Sequence, residues 1–155
     1  MIPKFRAWLK EENKMIEPSD ILSISFKLCE MTPNYLHGFE KEKYDFYDLE
    51  LMQSTGLKDK NGKEIFEGDI LKFNDEWPDY CYEGYVDGSI DGINHVEIKR
   101  EKTYFAFGKT KIPESSLIAL VEDEHYPFEE LLTEASYEFE IIGNIYENPE
   151  LLEVE

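Results

Sequence analysis

Cations are scarce in this chain, and after Lys111 there are none: 16 Lys and Arg face 35 Asp and Glu, for a formal charge of −19 and a pI near 4.4. Phosphate backbones are bound by a basic balance, so direct nucleic-acid binding is disfavoured. Long apolar runs are lacking as well. The longest, residues 117–121, falls far short of the roughly 20 residues a membrane helix needs, and the first residues hold no apolar core of a secretory signal. The expectation is a cytoplasmic chain with no membrane contact. There are two cysteines, Cys29 and Cys81, without a CxxC partner or a histidine at ligand spacing, which favours free thiols over a disulfide or a zinc site. Only four alanines occur, too few for a helical bundle. A Gly-rich phosphate loop, a nucleophile elbow and a Cys/His pairing are all missing, so nothing anchors an enzymatic reading. A non-enzyme without cofactor or metal is expected.

What is present argues for a folded, mainly β protein. At 155 residues and 18.3 kDa the chain can bury about 70% of its unfolded surface in one domain. Leu, Ile, Val and Phe number 42, above the roughly 20% below which charged chains stay disordered. Fourteen Ile, ten Phe and ten Tyr suit half-buried pleated surfaces.

Along the chain, residues 4–8 read as a strand that returns through a polar turn to Met15 and Ile16. Residues 20–28 alternate, with Leu22, Ile24, Phe26 and Leu28 on one side, and predict a strand buried on one face. A long connection over 31–47 precedes a strand at 47–52. Asn61-Gly62 supplies the positive φ values of a tight hairpin turn, and Gly68-Asp69 interrupts an apolar run as a bend into a curved sheet would. Asp87-Gly88 and Asp91-Gly92 predict two turns between strands at 80–86 and 96–100. Further strands are expected at 103–107, 117–121 and 138–147. Pro127, Glu129, Glu130 and the spacing of Phe128, Leu131, Leu132 and Ala135 predict a helix, and Asn148-Pro149 a final capped helical turn.

Three blocks carry a resemblance. These are Lys4-Phe-Arg-Ala-Trp8, the long run from Leu51 through Asn61-Gly62 and Gly68-Asp69 to Lys72, and the terminal stretch from Phe139 through Gly143 to Leu152. Together they resemble the YopX family, small proteins encoded mainly in bacteriophages and prophages of Gram-positive bacteria. Ser54 departs from the aromatic expected after Gln53. The resemblance implies a phage-derived, mostly β protein in a bacterial host cell, with no catalytic residues to carry over. Asn61, Gly62, Gly68, Asp69 and Gly143 are read as turn and bend residues, since Gly and Asn in such places are positional. The unmatched residues 29–47 and 74–137 are where specificity determinants are expected.

Candidate chemistry is thin. Asp87-Gly-Ser-Ile-Asp-Gly92 opens like a calcium loop, but position 12, which needs a bidentate Glu, is Ile98. His37, His95 and His125 are dispersed and read as surface or turn residues. The stretch holding Trp77, Tyr80 and Tyr82 beside Asp75, Glu76, Asp79 and Glu83 is either a loop running into a strand that buries its aromatics or a recognition loop.

The distribution of charge is more informative. The first 111 residues sum to −6, while the 44 after Lys111 hold 13 acids. Glu122, Asp123, Glu124, Glu129, Glu130 and Glu134 are candidates for a negative face that meets a basic protein surface of host or phage. Solubility alone, and mimicry of DNA against a host DNA-binding protein, are the competing readings of such a face. A metal-dependent hydrolase is a third. Homo-oligomerisation is open, since barrel edges invite pairing and the charge opposes it. The expected fold is a small, partly open, SH3-like barrel with extra hairpins and one or two short C-terminal helices, a single domain 1–155 in which a β subregion 1–50 packs on a barrel 51–155.

Overall fold

The computed structural model describes residues 2–122 and 126–154. The fold is mainly β, with a curled half-barrel sheet and few short helices. The chain divides into two compact units, Met1–Ser54 and Thr55–Glu155. The boundary falls inside one strand.

In the first unit, β1 (Phe5–Leu9) pairs antiparallel with β2 (Lys14–Ile16) and with the first half of β6 (Leu49–Lys58), in the registers Ala7↔Ile16 and Ala7↔Leu51. A second sheet joins β3 (Ile21–Ser25), β4 (Glu30–Pro33) and β5 (Tyr44–Asp45), with Met31 opposite both Ile24 and Tyr44. Ala7, Leu9, Ile16, Met31, Tyr44 and Leu49 form this unit's core. Tyr44 donates to Glu12 at 2.8 Å, and burial together with that carboxylate pushes its phenol up to about 12.

Two expectations are corrected here. The alternating stretch 20–28 is a strand only to Ser25, and Leu22, Phe26 and Leu28 are exposed. A register shift between Ile21 and Ser23 breaks the alternation, and Phe26 instead meets the rings of Phe5 and Phe46 edge-on. The supposed connection 31–47 contains β4, most of whose residues lie in it, and β5. Both are too short to show a period.

In the second unit, β6 turns through Asn61-Gly62 into β7 (Glu64–Phe66). Gly62 has φ +79°, and the buried Asp59 carboxylate organises the turn by accepting from the backbone N–H of Asn61 and Lys63, both at 2.9 Å, and of Ile141 at 3.0 Å. Gly68 (φ +85°) turns β7 into β8 (Asp69–Tyr80), and buried Asp69 accepts from the N–H of Phe66 at 2.8 Å. Then β8 pairs with β9 (Val86–Arg100), β9 with β10 (Phe105–Thr110), and β8 with β11 (Glu140–Asn144), in the order β10-β9-β8-β11. Gly143 sits at a bulge against Asn148, whose carboxamide lies 2.5 Å from where a Cβ would be. The core gathers Ile65, Leu71, Phe73, Val96, Ile98, Phe107, Leu117, Leu131, Leu132 and Phe139, with Phe139 stacked on Phe73 at 5.1 Å and on Phe107 at 5.6 Å.

The apolar run 117–121 is not a strand. It lies in α1 (Ser116–Glu122), because the hydroxyl of buried Ser115 accepts from the N–H of Leu117 and opens a helix there. The second helix, α2 (Phe128–Leu132), is shorter than expected and has Pro127 before its first residue. A 3-10 turn, Ala135–Tyr137, follows. The last strand covers only Glu140–Asn144 of 138–147, and Asn148 does not cap the final turn Pro149–Leu152; its side chain accepts from Asn144 instead. Neither Asp-Gly pair is a hairpin turn. Both lie inside β9, and the chain reverses at 81–85, where Cys81 N–H bonds Tyr85 C=O and Gly84 N–H bonds Cys81 C=O. No helix among the described residues is long and apolar enough to cross a membrane.

Candidate functional site

The long hairpin of β8 and β9 has two different halves. In its lower half, Ile70, Leu71, Phe73, Val96 and Ile98 are buried, β11 covers the outer side of β8 from Asp69 to Lys72, and β10 covers that of β9 from Val96 to Arg100. Asn94, fully buried, closes this half. Its amide donates to Asp75 at 2.8 Å and to the Ile112 carbonyl at 3.1 Å, and its oxygen accepts from Ile112 N–H at 2.8 Å. Ser116 of α1 donates to the other oxygen of Asp75 at 2.9 Å.

Above Asn94 pairing continues without that cover. The register runs Asn74↔Ile93, Glu76↔Asp91, Trp77↔Ile90 and Pro78↔Ser89, and shifts at a bulge before Tyr80↔Val86. The result is a two-stranded arm. The half-buried Trp77 ring lies across Gly92, where a Cβ would meet it at 2.5 Å, so Gly92 is required for close approach and not for a turn. Gly88, with φ +105°, falls within the bulged stretch. Tyr82, Tyr85, Val86 and Ile93 are each more than half exposed, and Tyr80 and Ile90 nearly so.

The arm is also acidic. Residues 73–98 carry seven acids and no lysine or arginine. Glu76 and Asp91 stand directly opposite each other, an arrangement that disfavours pairing by roughly 0.2–1 kcal/mol. Tyr80 donates to the Glu114 carboxylate, and that bond raises its pKa above the ordinary tyrosine value.

Of the residues singled out from sequence, Trp77, Tyr80 and Tyr82 come together on this arm. The acids do not form one set with them. Glu122 ends α1, Glu129 and Glu130 are exposed in the first turn of α2, and Glu134 accepts from Ser136 N–H at 3.4 Å; Asp123 and Glu124 lie outside the described residues. The cation-free end also finds partners from earlier in the chain. Glu140 pairs with Lys72 at 2.9 Å and Lys60 at 3.6 Å, and the Lys72 hydrogen bond first, then both positive charges, hold its carboxyl below the usual range. Asn74 donates to Glu138 at 2.8 Å. Sequence reasoning missed Tyr85, Val86, Ile90, Ile93, Asp87 and Asp91 as parts of the arm. The signal that finds them is the gap between Lys72 and Lys99.

Among the described residues no three His, Cys, Asp or Glu side chains are grouped as a metal ion would require. An apolar groove of about 650 Å³ lies elsewhere in this unit, walled by Phe105, Phe107, Tyr126 and Phe128 with Glu101 and Glu129 among its lining.

A model of the YopX protein family matches residues 4–153. The chain belongs to the YopX family. Among solved structures, protein EF1440 from Enterococcus faecalis is similar along its length, with 26% identity, 99% of each chain covered and a TM-score of 0.55. No curated protein matches. The arm lies in 74–93, within the stretch where the family's recurrent blocks offered no motif, while the Asn61-Gly62 and Gly68 positions lie in those blocks and hold turns, and Gly143, also in a block, holds a bulge.

Proposed function

We propose that this YopX protein is a non-enzymatic accessory protein of a phage or prophage, working in the bacterial host cytoplasm by contact with a basic protein surface. The observation that carries the reading is the arm, where exposed Tyr80, Tyr82, Tyr85 and Ile90 stand among acids with no cation on either strand above Lys72 and Lys99. Tyrosine is favoured as an interface anchor, and a field of one sign speeds association with a partner of the other. DNA mimicry draws less support, because Glu140, Glu138 and Glu134 are engaged by Lys72, Asn74 and Ser136 and do not form a free array.

The test is capture from prophage-bearing or infected cells at low and high salt, with nuclease treatment, using the wild-type chain and a Tyr82→Ala/Tyr85→Ala variant. Both side chains are exposed, so the variant keeps its fold. A basic protein is expected at low salt, resistant to nuclease, lost at high salt and lost with the variant. Equal capture by the variant overturns the reading.

A further inference from the structure

We infer that residues 86–93 of β9 take a basic, extended segment of the partner as an added strand; this rests on the reading of the arm as the contact surface. Every backbone N–H and C=O on an open sheet edge is a template for another strand. On β8 the outer side is compromised. β11 covers it below, Asn74 reaches the turn at Ser136, and Pro78 has no N–H to offer.

On β9 the outer side is different. β10 reaches only Val96, the 111–112 backbone reaches His95 and Asn94, and no strand among the described residues lies beside 86–93. This stretch has neither proline nor lysine, the residues with which proteins blunt such edges. What it carries is Asp87 and Asp91. Those charges repel a second copy of the same edge and select a basic strand.

The two faces of the arm prescribe the incoming pattern. Asp91 and Glu76 share one face, and Ile90 and Trp77 share the other. Ile93 lies on the face of Asp91, so a strand added beside β9 places a basic residue next to Asp91 with an apolar one next to Ile93 on the first face, and apolar residues on the second. It also relieves the opposition of Glu76 and Asp91 by putting a cation next to them.

The probe is the peptide Ac-Lys-Val-Arg-Val-Lys-Val-Arg-NH2 at low salt, read by amide hydrogen exchange of the full chain. Slowed exchange confined to alternate amides within 86–93 is expected, with binding weakened at least tenfold by Asp91→Lys and by a peptide carrying proline at alternate positions. Binding without protection of 86–93 overturns strand addition and leaves the basic-partner reading in place. So does absence of peptide binding while capture still depends on Tyr82 and Tyr85. Protection of 86–93 that rises with protein concentration in the absence of peptide names a second copy as the occupant and overturns the inference.

Discussion

The two halves of the β8–β9 hairpin share strands and register, yet only one is built to be covered. Below Asn94 each strand has a second neighbour and a buried face around Phe73, Val96 and Ile98. Above it neither strand has a further strand beside it among the described residues, and contacts outside the hairpin are side-chain ones such as Tyr80 to Glu114 and Asn74 to Glu138; a two-stranded ribbon is marginal in water. Pairing alone therefore does not account for twelve and fifteen residues of continuous strand. The upper half trades burial for an exposed, acidic, tyrosine-rich surface, which places it toward the low-stability end of the fold.

The strongest way to sharpen this contrast is to truncate one apolar residue in each half. Phe73→Ala removes a fully buried ring and is expected to cost about 3–5 kcal/mol in urea unfolding, whereas Ile90→Ala, at a position 40% exposed, is expected to cost under about 1 kcal/mol. Equal costs would show that the upper half is as much core as the lower.

Next in size is the seam. Asn94→Ala leaves the buried Asp75 carboxylate with Ser116 as its remaining partner here and strips Ile112 of two hydrogen bonds, with an expected loss of about 2–3 kcal/mol. Hydrogen exchange should show the arm opening ahead of the lower half in this variant; simultaneous opening would break the comparison.

The smallest effect is at the tip. Tyr80 has a raised pKa, so its bond to Glu114 is intact below the ordinary tyrosine value near 10 and is lost as pH rises through the raised one. Following the Tyr80 ring by NMR should show a midpoint above 10 in the wild type and a return toward 10 in Glu114→Gln. No change in the variant would separate Tyr80 from the loop that carries Glu114.

Much of the fold was legible because it follows local rules. Gly62 and Gly68 turn the chain with positive φ, although Asn61 does not share it as the expected turn required, and the short spacing of Ile- and Phe-rich stretches marks strands. The organiser of the first turn, Asp59, was not legible, since its third contact comes from Ile141, far along the sequence. The candidate site was half visible. Trp77, Tyr80 and Tyr82 stood out, but two Asp-Gly pairs disguised the returning strand, and their glycines turn out to answer the Trp77 ring and a bulge.

By itself the sequence determined the β class, the family and the total charge, because composition, alternation and turn chemistry are additive along a chain. Only the tertiary structure decided that 117–121 is helical, that the hairpin reverses at 81–85, and that Glu140 is ion-paired while no strand among the described residues lies beside Asp87 and Asp91. Each of these depends on a partner distant in sequence: a turn preference worth a fraction of a kcal/mol yields to the pairing of β9 with β8 around buried Phe73, and a carboxylate is free or bound according to which lysine the fold brings beside it.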